Sequence, residues 1–145
     1  MRFSECSLHD VVATGSADTV GRVEGFVVRP APPRVVALRL GRTPGKATLL
    51  DWRQLIAFGP DAVTVASVEV LHIARDEAER HVADSELDLI GKPALSEAGD
   101  GLGTVMDVEF DPGSGAILNV LTDRQNLPGD RLIGLGGYAA VFAAP

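Results

Sequence analysis

GTVMDVEFDP (Gly103–Pro112) lies over GRVEGFVVRP (Gly21–Pro30) at an offset of 82 residues, and the fold is read outward from this pair. Gly21 meets Gly103, Val23 meets Val105 and Pro30 meets Pro112, with Asp18 over Asp100 just upstream. Without a gap, Val35-Val36-Ala37-Leu38 then falls on Ile117-Leu118-Asn119-Val120. A second block, LDWRQLIAFG (Leu50–Gly59), matches LPGDRLIGLG (Leu127–Gly136) at an offset of 77. The second copy is therefore shorter by a loop-sized deletion between the blocks. Collinear apolar positions in two blocks make the chain a tandem duplication.

Within each copy the apolar period is that of strands. Side chains alternate along a strand, so Val105 and Val108 cannot share a face if the strand is regular. One extra residue near Met106–Asp107 restores parity with Val108 and Phe110, which predicts a β-bulge. Val23, Phe26 and Val28 repeat the pattern, with a bulge predicted near Gly25. DPGSG (Asp111–Gly115) reads as a turn, and RPAPPR (Arg29–Arg34) takes its place in the first copy. The following AILNVLT reads with Leu118 and Val120 on one face and Asn119 on the other. AVTVA (Ala62–Ala66) and YAAVFA (Tyr138–Ala143) close the copies as apolar strands.

Between the copies, Arg75–Glu79, Asp76–Arg80, Glu77–His81 and Arg80–Asp84 stand four apart, the spacing of an exposed helix. The expected organisation is thus a first barrel over 1–68, a linker with a short helix over 69–87, and a second barrel over 88–145. The fold class is all-β, two small partly open β-barrels in tandem. A barrel of about 60 residues is marginal alone, so the two are expected to pack together. Alternation puts Val27, Val35 and Ala37 on the outer face of the first barrel, where the second carries Glu109, Ile117 and Asn119. That apolar face predicts docking, either on the second barrel or in a homodimer.

The run GxxLGTVxDVEFDPxxG (Gly99–Gly115) and the later LPGDRLIGLGGYAAV resemble the PRC-barrel family, named for the cytoplasmic domain of the photosynthetic reaction centre H subunit. The resemblance covers residues 88–145, and more loosely Leu8–Val68. It implies a partly open barrel built mainly as a meander, with roles in binding and assembly. The H subunit steadies an electron-transfer complex, and the ribosome maturation factor engages a ribosomal protein through its barrel. No catalytic residues are implied. Unlike those two members, this sequence shows neither a membrane-spanning helix nor a second type of domain.

The net charge of −7 is uneven: residues 1–66 carry +2 and residues 67–145 carry −9. Overall acidity weighs against general nucleic-acid binding. Arg29, Arg34, Arg39, Arg42 and Lys46 nonetheless occur with no acidic residue between Gly25 and Leu50. The residues expected to meet a partner are Val27, Arg34, Val35, Ala37, Arg39 and Arg42. The first expectation is a protein partner, and an RNA- or ribosome-associated role through the basic stretch is the alternative. No apolar run approaches the roughly 20 residues that span a bilayer, and MRFSECSLHD has no apolar signal core. With one cysteine, neither a disulfide within the chain nor a multi-cysteine metal site is available. The expectation is a cytoplasmic protein.

Catalytic and cofactor readings find little support. Gly99-Asp100-Gly101-Leu102-Gly103 precedes a strand rather than the helix a phosphate loop needs, and reads as a turn, as does Gly134–Gly137. His9, His72 and His81 show no zinc spacing. Cys6 and His9 could form a thiolate–imidazole pair, but nothing nearby supplies a pocket or oxyanion donors. Asp107, Glu109, Asp111 and Asp123 read as solvated carboxylates, and Trp52 and Tyr138 as caps on the barrel ends. The expectation is a protein without enzymatic activity, cofactor or metal; a small ligand between the barrels is the least supported reading.

Overall fold

The computed structural model describes residues 1–84 and 87–144. A short helix α1 (Phe3–Cys6) precedes β1 (Asp10–Ala13), β2 (Thr19–Pro30), β3 (Pro33–Gly41), β4 (Leu49–Asp51), β5 (Leu55–Phe58) and β6 (Ala62–Val65). Helix α2 (Glu77–Ala83) follows, then β7 (Pro93–Ser96), β8 (Gly101–Phe110), β9 (Ile117–Thr122), β10 (Asn126–Pro128), β11 (Leu132–Leu135) and β12 (Ala140–Phe142). The strands form two six-stranded sheets, ordered β4-β3-β2-β1-β6-β5 and β10-β9-β8-β7-β12-β11. The chain is all-β with the same topology twice: a meander of four strands, then a hairpin whose last strand returns parallel to the first.

Neither sheet closes. The edge strands β4 and β5 are joined by the 3-10 turn Trp52–Gln54, and β10 and β11 by Gly129–Arg131, so a short turn crosses each open seam. Leu49, Trp52 and Leu55 begin elements in the first half where Asn126, Gly129 and Leu132 begin them in the second, all at the offset of 77.

Both bulges fall where parity requires them. Pairing slips between Val23 and Gly25 and between Val105 and Asp107, leaving Glu24 and Met106 as the extra, exposed residues. Val23, Phe26, Val105, Val108 and Phe110 are all buried. A second bulge in each copy corrects the outer-face register. Val28 pairs Val35 and Val27 pairs Ala37, so Val36 is the extra residue; Phe110 pairs Ile117 and Glu109 pairs Asn119, so Leu118 is. Val35 and Ile117 consequently point into the core, whereas Leu118 points out and is 47% exposed. Ala37 keeps the outward side with Val27 but is covered. Tyr138 caps nothing, at 76% exposed.

One apolar core runs through both halves. Phe110 of the second sheet sits among first-half rings, 5.5 Å from Phe3, 5.8 Å from Phe26 and 5.4 Å edge-on to Phe58. Helix α1 ties the first segment to the second sheet: Ser4 donates from its amide and hydroxyl to Asp107, and Met1 exchanges backbone bonds with Phe110. Across the junction Arg34 pairs antiparallel with Ala116, and the Val35 amide donates to the Gly115 carbonyl at 2.7 Å. Positions 34 and 116 correspond in the duplication, so equivalent residues meet as they do at a local two-fold axis. Trp52 packs beside Phe58 and edge-on to Phe110, closing the seam of the first sheet.

Candidate functional site

A cleft of about 620 Å³, with both polar and apolar walls, lies between the outer face of β2–β4 and the α2 segment. Val27, Val36 and Ala37 form its apolar wall, with Val82 and Leu87 opposite. Arg29, Arg34 and Arg53 stand around it, exposed, with the half-buried face of Trp52 beside them. The local sequence explains the arrangement. The outward residues of β2 and β3 are apolar near the middle of the strands and become Arg29 and Arg34 toward the turn.

Helix α2 is held over this face by charge rather than packing, since none of its residues is buried. Its N-terminus is capped by Asp76, whose carboxylate accepts the Glu79 amide at 2.8 Å. Arg75 supplies the anchor. Its Nη2 lies 3.0 Å from Asp51 Oδ2 and 2.8 Å from His72 Nε2, and its Nε donates to Glu79 Oε1 at 3.1 Å. His72 is fixed by a backbone bridge to Leu49, and its Nδ1 lies 2.8 Å from the Ile73 carbonyl. With Nδ1–H donating there, the neutral ring offers the Nε2 lone pair to Arg75. The same Nε2 lies 3.0 Å from Asp51 Oδ1, so a protonated ring would donate to Asp51 instead.

Burial pushes the Asp51 carboxyl up, but hydrogen bonds and charge from His72 and Arg75 outweigh it and hold the group below its ordinary value. Asp51 and Glu79 in turn raise the Arg75 guanidinium. Ligand atoms of Asp51, His72 and Glu79 lie within 4.8 Å of one another, a spacing that could hold a cation. That place is taken by the Arg75 guanidinium, which supplies the positive charge the three groups would otherwise share.

The expected partner residues separate. Val27, Arg34 and Ala37 line the cleft. Val35 is lost to it, because the bulge at Val36 turns it into the core, where it is fully buried. Arg39 is tied by a 2.6 Å ion pair to Asp88 just beyond the linker. Arg42 lies past the end of β3 with a φ of 54°, away from the cleft lining. Arg29, Trp52 and Arg53 belong to the cleft but were not among the expected residues. Arg29 lay in the basic stretch, whereas Arg53 follows Trp52 in the seam turn and nothing in a strand pattern marks it.

The other chemical readings resolve locally. Cys6 is buried, and loss of solvent pushes its thiol up to about 12, so no thiolate forms near neutral pH. The Ser96 hydroxyl accepts the Ala98 and Asp100 amides, so the turn ends at Asp100, and Gly101, Leu102 and Gly103, read as part of the turn from the sequence, belong to β8. Asp111 accepts the Gly113 amide and Asp123 the Thr104 amide, each at 2.8 Å, and Asp107 holds Ser4. These carboxylates serve separate partners and do not converge.

No helix among the described residues is long and apolar enough to cross a membrane. Among curated proteins none matches the chain. Residues 87–141 match the family model of the PRC-barrel domain.

Proposed function

We propose that the chain is a non-catalytic assembly module that docks protein partners on the outer faces of its two sheets. The PRC-barrel match over residues 87–141 carries this reading. The placement of bulge residues supports it. An extra residue in a strand has no inward slot, and here Ile56, Met106, Leu118 and Ile133 occupy such places, exposed by 58%, 61%, 47% and 48%. Outward apolar side chains on a sheet are stabilised when another surface covers them.

The test is affinity capture from an extract of the source cell, with the wild type and with Leu118→Asp plus Ile133→Asp, whose sites are exposed. A protein retained by the wild type and lost by the variant supports the reading. A retained protein indifferent to both changes places docking elsewhere and contradicts it. The Arg29, Arg34, Arg53 and Trp52 cluster favours RNA as the second reading. Nuclease-sensitive material released steeply by salt, through counterion release, would select it.

A further inference from the structure

We infer that the face around the junction is self-complementary in charge and joins two copies of this chain, basic half on acidic half. This deepens the assembly reading by naming a second copy as one partner.

Four outward residues form a row across the junction. Arg29 pairs Arg34 between β2 and β3, Arg34 pairs Ala116 across the local two-fold, and the Asp111 amide donates to the Ala116 carbonyl at 2.9 Å. Cross-strand partners share a face, so the row reads Arg29, Arg34, Ala116, Asp111. Three strand spacings put its charged ends about 14 Å apart. Arg29 and Asp111 correspond in the duplication, which means that one position carries opposite charge in the two halves. The seam turns repeat the inversion, with Arg53 in the turn beside β3 and Asp130 in the turn beside β9, again equivalent positions.

Within the chain these charges are not used on one another. No ion pair or side-chain hydrogen bond among the described residues engages Arg29, Arg53 or Asp130. The Arg34 side chain donates to the Ser114 carbonyl, and Arg131 beside Asp130 is turned to the Ala143 carbonyl.

A surface that is positive on one side of a two-fold and negative on the other matches itself when turned over. A second copy, rotated by half a turn about an axis lying in the face and perpendicular to the row, sets Arg29 of each chain over Asp111 of the other, at both ends. The contact is closed and isologous. Nucleic acid would meet the same arginines but also the carboxylates a few strands away, which repel it. A second copy satisfies both halves.

The test separates the charges. Arg29→Asp with Arg53→Asp makes the face wholly acidic. Asp111→Asn with Asp130→Arg makes it basic, and the asparagine keeps the oxygen that accepts the Gly113 amide. Sedimentation measures mass for the wild type, each variant and their equimolar mixture, with circular dichroism confirming the fold. The wild type is expected to be dimeric at low salt, with its dissociation constant raised about tenfold or more when salt shortens the screening length to about 3 Å. Each variant alone is expected to be monomeric, and the mixture dimeric. A monomeric wild type at low salt, a wild-type dimer unaffected by either variant, or variants that fail to associate on mixing would each overturn the inference. None of those results touches capture of a different protein, which the preceding experiment reads separately.

Discussion

Gly115 shows how tightly single residues are specified at the junction. Its φ of 81° lies in the left-handed region, and a Cβ there would stand 2.8 Å from the Val35 carbonyl oxygen and 3.2 Å from Trp52. Gly115→Ala is expected to cost about 1–3 kcal/mol, from backbone strain and a displaced inter-sheet hydrogen bond; urea denaturation measures it. Asp51 gives a pH dependence whose sign is fixed. Its folded-state value is depressed, so its contribution is fully present above the ordinary carboxylate value of about 4 and is lost as pH falls through the lower folded value. Asp51→Asn should flatten the acid limb of the stability curve below about pH 4 and leave the neutral region's slope unchanged. An unchanged acid limb would mean that the Arg75 network does not hold the helix. The groups of this network stand on β4, the bridge at His72 and the start of α2. A sequence pattern shows Arg75 and Glu79 as neighbours four apart, but it cannot bring Asp51 to them across 24 positions.

At the scale of elements, the strands were legible because parity leaves a trace. Val23 to Phe26 and Val105 to Val108 break the period of two in a way that only an inserted residue repairs. The second bulges at Val36 and Leu118 left no such trace, because apolar residues occupy both sides of β3 and β9 and either register reads as amphipathic. The failure at Val35, Ile117 and Leu118 is that ambiguity. A pair of substitutions measures it. Val35→Glu buries an unpaired charge and is expected to abolish folding, while Leu118→Glu, on an exposed bulge, is expected to change stability by no more than about 0.5 kcal/mol. The reverse result would restore the regular register. The linker helix was legible from its charge spacing, with the Arg75–Glu79 pair at 3.1 Å and Glu77–His81 at 3.6 Å. Its position over β2–β4 was not, because it rests on charges contributed from elsewhere.

For the whole molecule, duplication and packing give a single folded body. The sequence implied two copies and, from the marginal size of each, their contact. It did not reveal how they meet, since Phe3, Phe26, Phe58 and Phe110 come from four separate segments. The expected docking face of Val27 and Ala37 turns instead toward the linker helix, while the sheets join through Phe110, α1 and the Arg34–Ala116 pair. The charge-inverted row is a consequence of that junction, so the self-association proposal depends on it. Scanning calorimetry of the wild type and of Phe110→Ala tests it most directly. A shared core predicts one transition with calorimetric and van't Hoff enthalpies equal. It also predicts that Phe110→Ala, at a cost of about 3–5 kcal/mol, lowers that single transition as a whole. Two separable transitions in the wild type, or a Phe110→Ala variant in which only one half loses stability, would contradict it.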